Sequence, residues 1–392
     1  MQENTKFKIT FGGWYQRTTL HLSEIYDLFD RGVSQLDLDK QRLLELQKSL
    51  DLKDVSREAG DLEFVRAHTN SGVEVRYYED GLYILEIESD DIKKSQQVLT
   101  DYYDNILSPA ISYIFSLGAP TPKILANIKT VHPTVVSVTV DQPEEFKIDT
   151  NEFGPTYSTI DSEKIMVHKT PQYIFIISKP DYGRESRELV EMQIFFREFK
   201  DQLEKYLNIH RRIWEEISDI KEQKTIAGKD VENIRSKLDS YQKTISLISN
   251  RINQMGSYIR TRASIAKSIK IEDQLRELFQ FKFEVLTDTL DYIKEIWKMT
   301  NDYLGSAIQY VVEIKNQGTT RGIQSLQLIT SIGVVSGLIG YFARTEWPRF
   351  TTMGAIYLVL IILATWILNS AMVKIYKNKK YRIKFTERTE DL

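Results

Sequence analysis

Gly322-Ile323-Gln324-Ser325-Leu326-Gln327-Leu328-Ile329-Thr330-Ser331-Ile332-Gly333-Val334-Val335-Ser336-Gly337-Leu338-Ile339-Gly340-Tyr341-Phe342-Ala343 is a stretch without a single Asp, Glu, Lys or Arg, and a second one, Phe350–Val373, follows after only six residues. A helix that crosses a hydrocarbon core of about 30 Å needs roughly 20 such residues. The pair therefore predicts a two-helix transmembrane hairpin over 322–373. Its connecting loop, Arg344-Thr345-Glu346-Trp347-Pro348-Arg349, is too short to fold alone and carries a Trp suited to the headgroup layer. Directly after the hairpin, Lys374, Lys377, Lys379, Lys380, Arg382 and Lys384 make a basic tail, 374–392. By the positive-inside rule that tail is cytoplasmic, and two crossings return the chain to its starting side. The expected placement is multi-pass in the inner (plasma) membrane, with both termini cytoplasmic and lipid as a partner. The lysines read equally as a patch that only fixes orientation against anionic lipid.

The rest of the chain is polar. With 392 residues, a net charge of −3 and no cysteine, it excludes disulfides and thiolate metal sites and does not have the charge of a nucleic-acid binder. Met1-Gln2-Glu3-Asn4-Thr5-Lys6 lacks an apolar run, so no secretory signal is expected.

Upstream of the long polar helices the signals are short and mixed. Phe7–Phe11, Thr18–Leu22, Val73–Tyr78, Leu82–Ile87, Thr134–Val140 and Tyr173–Ile177 read as strands, with Asp80-Gly81 as a hairpin turn. Helices are predicted over 23–30, 40–50 and 91–117, the last bent at Pro109. Residues 1–183 thus form an α+β cytoplasmic sensor domain. No proline occurs between Arg184 and Pro348, and the span is rich in Glu, Lys, Leu, Ile and Arg. Gly228 and the neighbourhood of 268–271 divide it into a long helical hairpin, 184–270, and a stalk helix, 271–321, that can run on into the first apolar stretch. A helix from Ile271 to Ala343 would be about 110 Å long and needs neighbours to support it. Several copies around an axis would also shelter Thr330, Ser331, Ser336 and the glycines.

This order of parts resembles the CorA family of divalent-cation channels: an α+β cytoplasmic domain, long stalk helices, a two-helix transmembrane hairpin and a lysine-rich tail. Asn316-Gln317-Gly318-Thr319-Thr320-Arg321 stands where the family has an Asn-rich segment, Leu338-Ile339-Gly340-Tyr341-Phe342 where it ends its first span with Gly-Met-Asn, and Lys377-Asn378-Lys379-Lys380 where it has its basic tail. The resemblance implies a homopentamer with the first transmembrane helix lining a pore, and regulatory Mg²⁺ held by carboxylates at subunit boundaries. Asp273, Glu277, Glu284, Asp288, Asp291 and Glu295 are the stalk acids, and they read equally as a solvated face. Tyr341 and Phe342 replace the Met and Asn of the signature, and Arg344 and Arg349 outnumber Glu346, which disfavours cations at the mouth. Variants lacking the signature are known as membrane effectors of type III CRISPR antiviral defence, switched by a nucleotide messenger. The expected function is accordingly a CorA-like homopentameric channel gated by a ligand of its cytoplasmic domain. The alternatives are a divalent cation (Mg/Co/Ni) transporter with an altered filter, and a non-conducting scaffold.

On the pore reading, one face of the first apolar helix collects Asn316, Thr319, Ile323, Leu326, Thr330, Gly333, Gly337, Gly340 and Tyr341, with Ile323 and Leu326 as a hydrophobic constriction. The same small residues read as a helix-packing surface. For a nucleotide, His210, Arg211, Arg212 and Trp214 offer guanidinium forks and a stacking ring, and Arg260 and Arg262 are a second basic pair. Adjacent helical residues point about 100° apart, so a solvated face paired to Glu215 and Glu216 competes with that reading. No Walker lysine loop, zinc-binding His pair or nucleophile elbow is present, so no enzyme and no resident cofactor are expected.

Overall fold

The computed structural model describes residues 6–15, 21–118, 133–223 and 225–342, with scattered positions between 352 and 382. Its centre is a nine-stranded mixed sheet in the order β2-β3-β4-β5-β1-β6-β9-β8-β7. The strands are β1 Phe7–Trp14, β2 Leu52–Glu58, β3 Phe64–Thr69, β4 Glu74–Tyr78, β5 Leu82–Ser89, β6 Thr134–Thr139, β7 Ser158–Ser162, β8 Ile165–Lys169 and β9 Tyr173–Ser178. Only β6 and β9 run parallel; the other neighbours are antiparallel. Tyr173-Ile174-Phe175-Ile176-Ile177 is apolar at every position because β9 is buried on both faces.

One sheet face carries Phe7, Ile9, Val75, Leu85, Val136 and Phe175 into a core shared with α1 (Leu22–Arg31), α2 (Lys40–Leu50), α3 (Ile92–Tyr102) and α4 (Ser108–Gly118). The bend expected at Pro109 takes the form of a π-helical turn, Tyr103–Leu107, between α3 and α4. Proline cannot donate to the preceding turn, and the helix widens there to accommodate it. A single helical turn, α5 (Thr150–Phe153), adds Phe153 to the same core. Leu22, expected in a strand, opens α1 instead, and Thr18–Leu20 lie outside the described residues.

The opposite sheet face is covered by α6 (Gly183–Glu222) and α7 (Val231–Ser268). Trp14 stacks on Phe199 at 5.3 Å and meets Phe195 and Tyr258 edge-on. A Cβ on Gly12 would come within 2.7 Å of the Tyr83 carbonyl and 3.2 Å of Ile194, so this glycine marks a close approach of strand and helix. The stalk helix expected to be continuous from Ile271 is two helices, α8 (Glu272–Phe279) and α9 (Phe283–Phe342). Gln280 in the left-handed region ends α8, and Phe281 is stacked on Phe196 at 4.6 Å.

The chain divides into two compact units, Met1–Ile209 with Leu247–Ile296 and His210–Ser246 with Trp297–Leu392. In the second unit, Ile213, Ile217, Leu238, Ile245, Leu304 and Val311 are buried between segments of α6, α7 and α9. Trp214 stacks on Tyr303 at 4.4 Å, and Lys315 pairs with Glu232 at 2.9 Å. A two-stranded ribbon, β10 (Thr225–Ala227) with β11 (Lys380–Arg382), closes the turn between α6 and α7.

The structure corrects the membrane reading. Among the described residues, no helix is long and apolar enough to cross a membrane. Freedom from charge is not the same as apolarity: between 322 and 342, α9 carries Gln324, Ser325, Gln327, Thr330, Ser331, Ser336 and four glycines, and each amide or hydroxyl offsets an aliphatic neighbour. The transmembrane hairpin, the membrane-protein and ion-channel reading built on it, and the multi-pass inner-membrane placement are therefore withdrawn. The loop Arg344–Arg349 and most of the basic tail lie outside the described residues.

Candidate functional site

A buried network of charge occupies the sheet face under α6 and α7. The strand period of two puts Glu74, Arg76 and Tyr78 of β4 on that face, beside Phe64, Arg66 and His68 of β3 and Ile84 and Glu86 of β5. Arg76 and Arg262 are each 1% exposed, Asp80 1% and Glu191 2%, so all four charges need partners inside the protein.

The tight turn after β4 sets the first pair. Gly81 has φ +89°, and a Cβ there would fall 1.9 Å from the Tyr15 carbonyl, so only glycine fits. Its neighbour Asp80 accepts from the Leu82 N–H at 3.1 Å, while the Asp80 carbonyl accepts from the Trp14 indole at 2.6 Å. The carboxylate held in this way receives Arg262 of α7 in a two-pronged bond, Nε to Oδ2 at 2.7 Å and Nη2 to Oδ1 at 3.0 Å. The Arg262 guanidinium also lies over the rings of Tyr78 (5.0 Å) and Phe195 (5.5 Å). Burial alone pushes Arg262 toward neutrality, but Asp80 more than offsets it, and the group stays charged.

The second part centres on Arg76. Its Nη2 donates to Glu86 at 3.1 Å and lies 3.6 Å from Glu191 of α6, and its Nη1 is 3.7 Å from Glu74. The Tyr78 hydroxyl donates to Glu191 at 2.7 Å. Burial and the Glu191 charge together hold that phenol well above its ordinary pKa. Glu188, one turn before Glu191, is pushed up to about 7 by burial and then by Glu191, against the pull of Arg262, Arg184 and Arg76. It changes charge near neutral pH. Two strands and two helices are thus locked by opposite charges, an arrangement that holds one relative position of sheet and helices and resists others.

The residues picked out by sequence fall in different places. Arg262 is part of this network, whereas Arg260 is exposed, as their spacing on a helix requires. His210, Arg211, Arg212 and Trp214 belong to the second unit. Arg211 and Arg212 are exposed, and Arg212 pairs with Glu216 at 3.5 Å. His210 tilts against Trp214 at 5.9 Å and meets Trp297 at 6.2 Å, and burial and then Arg211 lower its pKa. On α9, Asn316, Thr330, Gly333 and Gly337 are exposed; the side chains of Thr319, Ile323, Leu326 and Tyr341, and the surroundings of Gly340, lie outside the described residues. Among the described residues no three acidic or imidazole groups are placed to hold a metal ion, and the stalk acids Asp273 and Asp291 pair with Arg276 and Lys294.

Sequence reading missed Arg76, Asp80, Glu86 and Glu191. The alternation in Val73-Glu74-Val75-Arg76-Tyr77 assigns Glu74 and Arg76 to solvent, and nothing local announces that two long helices cover that face. Compared with known proteins, the chain matches no protein-family model and no curated sequence at a significant level.

Proposed function

We propose that this protein is a non-enzymatic sensor and effector: its α+β body receives a ligand, and the long helices respond through the buried charges that key them to the sheet. The observation that carries this reading is that Asp80–Arg262 and Arg76–Glu86–Glu191 each join a strand or its turn to α6 or α7 inside the protein. A ligand that redistributes charge on β3 or β4 would change the preferred position of those helices on the sheet. The long helices that follow the α+β body support a self-associating effector of several copies. Ion conduction is not part of the proposal, because the described helices include no membrane crossing.

The test compares wild type with Asp80→Asn by hydrogen exchange and light scattering. Faster exchange is expected both in the β4–β5 hairpin and along α6 and α7, together with an oligomeric wild-type particle. Faster exchange confined to the hairpin, or a wild type that stays monomeric at all concentrations, would overturn the reading.

A further inference from the structure

Glu74 is surrounded by more cations than one carboxylate can satisfy. Arg66 approaches it from β3, with Nε 3.1 Å from Oε1 and Nη2 3.3 Å from Oε2. Arg76 lies beside it on β4 at 3.7 Å, and Arg187 reaches it from α6 at 3.4 Å. His68 Nε2 is 3.8 Å away. The competing acids are Glu86 and Glu191 against Arg76, Glu191 also against Arg187 at 3.8 Å, and Glu58 against Arg66 at 3.5 Å. Even so, Nε and Nη1 of Arg76 are buried and make no hydrogen bond. A planar carboxylate offers two oxygens to this ring of donors, and the geometry leaves two nitrogens of Arg76 unmet. A tetrahedral oxyanion offers more oxygens in more directions and suits guanidinium forks arriving from three sides.

Access and charge also fit. The Arg66, His68 and Arg187 side chains are 36%, 36% and 46% exposed and form a solvent-facing rim, while Arg76, 1% exposed, is the floor. If Glu74 swings outward, the acids left to Arg66, Arg76 and Arg187 are Glu86, Glu191, the half-exposed Glu58 and Glu188, the last held largely protonated below about pH 7. The place Glu74 vacates is then open to an added negative group, and His68 can contribute a further donor.

We propose that Arg66, Arg76 and Arg187 form an exchangeable site for a tetrahedral oxyanion of the phosphate class, with Glu74 as the resident carboxylate that the ligand displaces. The site rests on the sensor reading above and supplies its ligand class: the ligand enters among groups that already touch Glu191 of α6.

Pyrophosphate is the probe, titrated calorimetrically into the full chain as wild type, Glu74→Gln and Arg187→Gln. Glu74→Gln is expected to bind about tenfold more tightly than wild type, and Arg187→Gln about tenfold more weakly. Equal affinity in all three, or no binding by wild type and Glu74→Gln, overturns the site. If Glu74→Gln does not fold, wild type against the exposed Arg187→Gln decides: a loss in the variant supports the site, and equal or absent binding in both overturns it. Binding that follows this pattern but leaves exchange along α6 unchanged sinks the sensor reading and keeps the site. Absent binding with the Asp80→Asn coupling intact does the reverse.

Discussion

Asp80 and Arg262 are 182 positions apart in sequence and both 1% exposed, so each is the other's main reason for being charged inside the protein. Removing one leaves a buried charge without its counterion, which costs about 3–5 kcal/mol, whereas replacing both with neutral groups of similar volume costs much less. Arg262→Met and Asp80→Asn should each lower unfolding midpoints by that order, and the double variant should recover most of the loss in a denaturant-melt cycle. Glu188 makes a separate prediction. Its pKa is about 7 in the folded protein against 4.5 ordinarily, raised by burial and by Glu191. A raised carboxylate pKa means the folded state holds the proton that the unfolded state has released, so this group's contribution falls as pH rises from about 4.5 to 7. The full effect is at most about 3 kcal/mol. Wild type should melt higher at pH 5 than at pH 8, and Glu188→Gln should flatten that slope; an unchanged slope would remove Glu188 as its source.

At the scale of elements, the break between α8 and α9 rests on Gln280, an exposed residue at φ 59° and ψ 28° whose N–H bonds the Arg276 carbonyl at 3.0 Å. A left-handed conformation costs a side-chain-bearing residue about 1–2 kcal/mol, and glycine takes it freely. Gln280→Gly should therefore stabilise the first unit by about 1 kcal/mol in urea melts. The same residue shows why the sequence predicts an unbroken stalk. Helix ends are recognised from Gly, Asn or Pro, and Gln gives no such signal; here the stack of Phe281 on Phe196 supplies what the local sequence does not. Strands with strong alternation or continuous β-branched runs were legible, including β1, β4, β5, β6 and β9, as was the hairpin turn at Asp80-Gly81. Leu52–Glu58 and Ser158–Ser162 were not, since their polar, partly exposed residues fit an edge strand and a loop equally well. Charge-free sequence imitates membrane sequence in α9 because Gln, Ser, Thr and Gly carry no charge and still spoil apolarity. Of the candidate site the sequence singles out Arg262 alone as a functional residue, as half of a basic pair for a nucleotide. Its burial depends on a tertiary pairing that no spacing rule encodes.

At the scale of the whole molecule, the fold depends on elements distant in sequence meeting. The Arg76 cluster joins β4 to α6, and the Asp80 pair joins the β4–β5 turn to α7. Such long-range closures slow folding relative to local helix formation. The ribbon β10–β11 is a similar case, pairing Thr225 with Arg382 and Ala227 with Lys380, with Ile226 only 2% exposed between them. A chain ending at Asn378 should retain the nine-stranded sheet but show faster amide exchange at Thr225–Ala227 and at the adjoining ends of α6 and α7. Exchange there equal to that of the full chain would mean the ribbon contributes nothing. During vectorial synthesis the sheet can assemble as soon as β9 leaves the ribosome. The tip joining α6 and α7 must wait for Lys380–Arg382, so a nascent chain carries that corner open, accessible to chaperones or to a sister chain on the same message, long after both helices have emerged.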